Sequence, residues 1–81
     1  MSYACPCCGY LTFEEKPPGT FEICPVCGWE DDEIQFRDPS YEGGANSVSL
    51  EQARKNFAAI GAADSESLTS VRKPLPEEIP G

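Results

Sequence analysis

Apolar positions along the chain fall into short β-type runs first and one helical stripe later. Tyr10-Leu11-Thr12-Phe13 and Thr20-Phe21-Glu22-Ile23 are rich in aromatic and branched residues. Between them lies Glu14-Glu15-Lys16-Pro17-Pro18-Gly19, whose Pro-Pro-Gly is a strong turn signal, so the two runs predict a β-hairpin. Glu33-Ile34-Gln35-Phe36-Arg37 alternates, with Ile34 and Phe36 on one face, and predicts a third strand. Asp38-Pro39-Ser40 ends it, because Pro cannot donate to a sheet ladder. Leu50, Ala53, Phe57 and Ile60 recur at helical spacing and predict a helix over residues 50–60. Ser49 is its expected N-cap, with Gln52 completing a capping box, Val48 and Ala53 at the staple positions and Gly61 as the stop. Ser65 to Val71 offers at most a short helical turn, and Lys73-Pro74-Leu75-Pro76 is expected to be extended.

Composition narrows what such a chain can be. Its 81 residues are few enough that a core alone seldom supplies more than about 3–5 kcal/mol, so a staple is expected. Six bases against 14 acids give a net charge of −8, which excludes binding to a nucleic-acid backbone or an anionic membrane surface. No apolar run is long enough to span a membrane, and the first residues lack a basic, apolar leader, so a cytoplasmic location is expected. There is no His, which removes mixed Cys/His metal sites and the commonest general base. Residues 1–42 carry nine acids and two bases, residues 43–81 five acids and four bases. The first part reads as a metal-binding β subregion and the second as a helix with a Pro-rich tail, joined at Gly43-Gly44 into one domain.

The staple is in the cysteines. Cys5-Pro6-Cys7-Cys8-Gly9-Tyr10 and Cys24-Pro25-Val26-Cys27-Gly28-Trp29 repeat as Cys-Pro-x-Cys-Gly-aromatic. Two cysteines two residues apart wrap their sulfurs around one ion, and the Gly allows the turn that aims backbone N–H groups at sulfur. Two such knuckles supply a tetrahedron of thiolates. Five cysteines in a chain without a leader fit metal better than disulfides. The repeat aligns Cys7 with Val26, so Cys5, Cys8, Cys24 and Cys27 are the expected ligands. Cys7 then reads as a small buried filler, a reactive thiol or an alternative ligand. Four thiolates suit both Zn and Fe, with Zn the commoner structural choice.

Beyond the second knuckle runs Trp29-Glu30-Asp31-Asp32-Glu33. One reading is a packed Trp beneath a solvated acidic loop; the other joins Glu30, Asp31, Asp32 and Glu33 to Asp38 and Glu42 as a surface for a basic protein partner. The spacing does not suit a second, carboxylate-held Ca or Mg ion. Tyr41-Glu42-Gly43-Gly44-Ala45-Asn46 lacks the Lys of a phosphate loop and reads as a turn into the helix cap. Arg54 and Lys55 fall off the apolar stripe, and Pro74-Leu75-Pro76 offers a short proline-rich docking element or a simple tail.

Cys-Pro-Cys-Cys-Gly at 5–9, Cys-Pro-Val-Cys-Gly-Trp-Glu-Asp-Asp at 24–32, Tyr-Glu-Gly-Gly-Ala-Asn at 41–46 and Ser-Leu-Glu-Gln-Ala-Arg-Lys-Asn-Phe at 49–57 resemble the cysteine-rich CPCC family of small bacterial proteins. The ending Arg72-Lys73-Pro74-Leu75-Pro76-Glu77-Glu78 also resembles that family, whereas Ala63 to Ser70 departs from it. The resemblance implies no reaction mechanism. The knuckles separately resemble those of rubredoxins, mononuclear iron electron carriers, though their separation is nearer to zinc ribbons. The expected fold is therefore a small α+β domain: a zinc-ribbon- or rubredoxin-like hairpin metal site, a helix packed on it through Leu50, Phe57 and Ile60, and an extended tail. The expected function is a zinc-stapled, non-enzymatic protein whose acids meet a partner, in one version as an immunity or antitoxin protein. A rubredoxin-like iron carrier is the alternative. A hydrolase using Cys7 or carboxylates ranks last, because four thiolates leave no place for a metal-bound water.

Overall fold

The computed structural model describes residues 2–80. Each cysteine knuckle is itself the turn of a hairpin. Strand β1 (Tyr3–Ala4) leads into the first knuckle, and β2 (Leu11–Phe13) leaves it to pair antiparallel with β1, Tyr3 opposite Phe13 and Ala4 opposite Leu11. The second knuckle joins the segments on either side of it in the same way. Cys24 N donates to Trp29 O at 2.9 Å, Asp31 N to Glu22 O at 2.9 Å and Phe21 N to Asp31 O at 3.1 Å, with Ile23 opposite Glu30. The hairpin expected between 10–13 and 20–23 is thus replaced by two, each closed over its own knuckle. Each knuckle closes on itself, with Cys5 N donating to Tyr10 O and Cys24 N to Trp29 O, both at 2.9 Å, and so pairs the segments on either side of it. The Glu14–Gly19 connection, with a cis Pro17–Pro18 peptide, links one hairpin to the next.

Residues 33–37 form helix α1 (Glu33–Arg37), not a strand. Asp32 Oδ1 accepts from Ile34 N at 2.8 Å and from Gln35 N at 3.0 Å, which satisfies orphan donors of the first turn. Glu33 and Arg37 pair one turn apart at 2.9 Å. The alternating Ile34 and Phe36 remain exposed, whereas the polar residue between them, Gln35, is fully buried. Gln35 Nε2 donates to Tyr41 O and Val48 O, while its Oε1 accepts from Asn46 N and Asn46 Nδ2. The Gly43-Gly44 seam closes on this amide: a Cβ on Gly44 would stand 2.6 Å from Gln35 Cδ.

Helix α2 (Leu50–Ile60) has the expected bounds. Ser49 Oγ accepts from Gln52 N at 3.1 Å, and Gly61 at φ 81° sends its N–H to Phe57 O. The reciprocal half of the capping box is not made, because the Gln52 side chain donates to Asn56 Oδ1 at 2.8 Å. Leu50 and Ala53 are buried and Phe57 meets Tyr10 edge-to-face, with ring centroids 6.2 Å apart. Ile60 is 45% exposed, so the stripe contacts the core through its first three members only. A 3-10 helix over Ser65–Thr69, capped by Asp64, forms within the 65–71 segment where a short helical turn is expected. The tail is not wholly extended: Pro76–Glu78 forms a second 3-10 turn. Arg72 clasps Glu78 through two bonds of 2.8 and 2.9 Å, and Arg72 N donates to Pro25 O at 3.0 Å. Among the described residues, a two-stranded antiparallel sheet, one main helix and a cysteine cluster make a small α+β arrangement. No helix among them is long and apolar enough to cross a membrane.

Candidate metal centre

The two knuckles have the same backbone geometry. Gly9 N donates to Cys5 O, and Gly28 N to Cys24 O, both at 2.8 Å. Both glycines have positive φ, 81° and 86°, a region costly to residues with a Cβ. Facing one another, the knuckles bring Cys5, Cys8, Cys24 and Cys27 together with all four Sγ atoms within 4.8 Å. Cys5 and Cys27 sulfurs lie 3.6 Å apart, those of Cys8 and Cys24 3.7 Å. Both are far beyond a disulfide bond of about 2.05 Å and close to the edge of about 3.8 Å for a tetrahedron with metal–sulfur bonds of about 2.3 Å. The donor set fits a metal ion.

Electrostatics make the same point. Hydrogen bonds converging from Cys27, Cys5 and Cys8 lower the pKa of Cys24 below the usual thiol value. The same crowding, led by Cys24, pushes Cys5, Cys8 and Cys27 far up. Four sulfurs this close cannot all ionise unless a cation neutralises them. Protein donors already face the thiolates: Cys7 N lies 3.4 Å from Cys5 Sγ, Trp29 N 3.4 Å from Cys27 Sγ, and Thr12 Oγ1 3.1 Å from Cys24 Sγ. Thr12 had no metal-site signal in the sequence, because its role depends on β2 lying beside the other knuckle.

Cys7 is buried at 9% exposure in the core around the cluster and is not one of the four clustered sulfurs. Trp29 is fully buried beside them, and its Nε1 has no partner among the described residues. The acids beyond it do not all reach the surface. Asp31 is fully buried and accepts from Thr20 N and Thr20 Oγ1 through Oδ2, which removes it from the expected acidic face. Asp32 is spent on the α1 cap and on Ala45 N, and those N–H donors, Gln35 first, hold its carboxyl below the usual range. Glu30 is half-buried, its backbone bracketed by Asn46. Glu33, Asp38 and Glu42 are exposed; Glu33 pairs with Arg37 and Asp38 with Ser40. Arg54, outside the apolar stripe, reaches the first knuckle with Nε donating to Pro6 O at 2.9 Å.

No curated protein matches the chain significantly. The model of the Cysteine-rich CPCC family, however, matches residues 3–78, a span that holds both knuckles, α1, α2 and the Arg72–Glu78 clasp, and the chain belongs to that family.

Proposed function

We propose that Cys5, Cys8, Cys24 and Cys27 hold one zinc ion in a zinc-ribbon-like site, and that the protein is a non-enzymatic binding module stapled by that ion. The convergence of four Sγ atoms within 4.8 Å from two like knuckles carries this reading. With four thiolates the ion has no free position for a water, so its contribution is structural. Elemental analysis of the purified chain tests it: one zinc per chain, without visible absorption, is expected. A red protein with a reversible one-electron couple would instead make it an iron electron carrier. That second reading is favoured by the N–H and O–H donors to three sulfurs, since such bonds also tune iron–thiolate potentials.

The module's surface is acidic, and Glu33, Asp38 and Glu42 support a basic protein as partner. An immunity or antitoxin role against a basic toxin is one form of this. Salt-sensitive capture of a basic protein, weakened when Asp38 and Glu42 become Asn and Gln, is the expected result. Retention that ignores salt and both substitutions rejects the acidic surface.

A further inference from the structure

The two knuckles repeat in sequence but not in surroundings. Over the second, Ala63 N donates to Cys27 O at 2.7 Å, and a Cβ on Gly28 would stand 2.6 Å from Ser67 Cβ. Over the first, the equivalent Gly9 has nothing within 4 Å of where a Cβ would lie. The ligand sulfurs differ accordingly. Cys5, Cys24 and Cys27 are at most 1% exposed, whereas Cys8 is half-buried. Each of the first three faces a protein N–H or O–H donor: Cys7 N, Thr12 Oγ1 and Trp29 N respectively. Among the described residues no such donor serves Cys8, whose sulfur faces only the other ligand sulfurs, Cys24 Sγ at 3.7 Å among them. Tyr10 N, which corresponds to Trp29 N, makes no bond to it.

Donors to a thiolate and a covering layer both slow its exchange, the first by stabilising sulfur in place and the second by excluding competitors. We propose that Cys8 is the exchangeable ligand of the centre, and that metal is loaded and withdrawn at its corner by an incoming thiolate. This rests on reading the four cysteines as a metal site. In the exchange, one metal–sulfur bond forms to the incoming thiolate as the bond to Cys8 Sγ breaks. Cys8 departs as a thiolate and takes a proton from solvent; no electron is transferred.

Limiting N-ethylmaleimide on the zinc-loaded full chain tests the assignment, with peptide mass spectrometry reading which cysteine is labelled and a chromophoric chelator reading zinc release. When a ligand sulfur adds to the alkene, its carbon–sulfur bond replaces the metal–sulfur bond and the second alkene carbon takes a proton from water. Among the four ligands Cys8 is expected to be labelled first, with one zinc lost per Cys8 modified. Thr12→Val is expected to advance the labelling of Cys24, the sulfur it deprives of a donor, while Cys8 stays first. A chain holding one zinc but labelled first at Cys5, Cys24 or Cys27, or at all four together, overturns this inference and leaves the metal reading intact. A chain that binds no zinc on reconstitution overturns both.

Discussion

Gly9 and Gly28 occupy the same place in the repeat, yet only one of them is hemmed in. Both need positive φ, which costs a residue with a Cβ about 1–2 kcal/mol. Gly28 faces in addition the backbone-anchored Cβ of Ser67 at 2.6 Å, so Gly28→Ala must push the 3-10 helix off the knuckle. Gly9→Ala is therefore expected to cost about 1–2 kcal/mol and Gly28→Ala clearly more, measured by denaturant midpoints of the zinc-loaded proteins. Equal losses would mean that the 65–69 segment does not bear on the second knuckle. At this scale the sequence is informative about chemistry and silent about company. Cys-Pro-x-Cys-Gly dictates its own turn and ligand spacing, so the four clustered cysteines were legible by aligning the repeat. Thr12 beside Cys24 and Gln35 inside the Asn46 loop were not, since each draws its role from residues far along the chain.

Element by element, legibility followed the range of the interactions involved. Helix α2 was readable to its bounds because its cap, stripe and Gly61 stop all lie within twelve residues of one another. The β character of 10–13 and 20–23 is local and readable, whereas their partners are set by the two knuckles, each of which pairs the segments on its own two sides. Helix α1 was misread because two exposed apolar residues, Ile34 and Phe36, happen to alternate. What decides it is Asp32, which caps α1 with one oxygen and holds Ala45 N at 2.9 Å with the other. Asp32→Ala is expected to cost about 1 kcal/mol or more, the usual loss for a cap, and to loosen the 41–46 loop. The carboxyl of Asp32 is held below its ordinary value in the folded chain, so its contribution is fully present above the unfolded carboxylate range. That contribution fades as pH falls through and below about 4. Melting wild type and Asp32→Ala across this range checks the sign: the gap between them narrows as the solution is acidified.

The molecule as a whole is hung on its knuckles. Helix α2 holds the first through Arg54 and Pro6, residue 63 holds the second at Cys27 O, and the tail holds it at Pro25 O. The core follows the same plan, with Trp29, Phe13 and Leu50 packed around the cysteines rather than around a separate apolar centre. Glu78 secures the tail: the Arg72 guanidinium beside it and Leu75 N lower its pKa from 4.5 to about 2. Because that pKa is depressed on folding, the clasp is at full strength above about 4.5 and is lost only as pH falls toward about 2. Thiolates must give up metal to take protons, so acid acts on the staple as well as on the clasp. Removing the ion at neutral pH therefore isolates the staple from the clasp. With an excess of a strong chelator, α2 helicity by circular dichroism and Trp29 burial by fluorescence are expected to disappear in one transition, and to return together on adding zinc. Glu78→Gln should leave that transition cooperative while speeding amide exchange over residues 72–79 at neutral pH. If helicity survives chelation undiminished, the cysteine cluster is an appendage to the fold and not its staple.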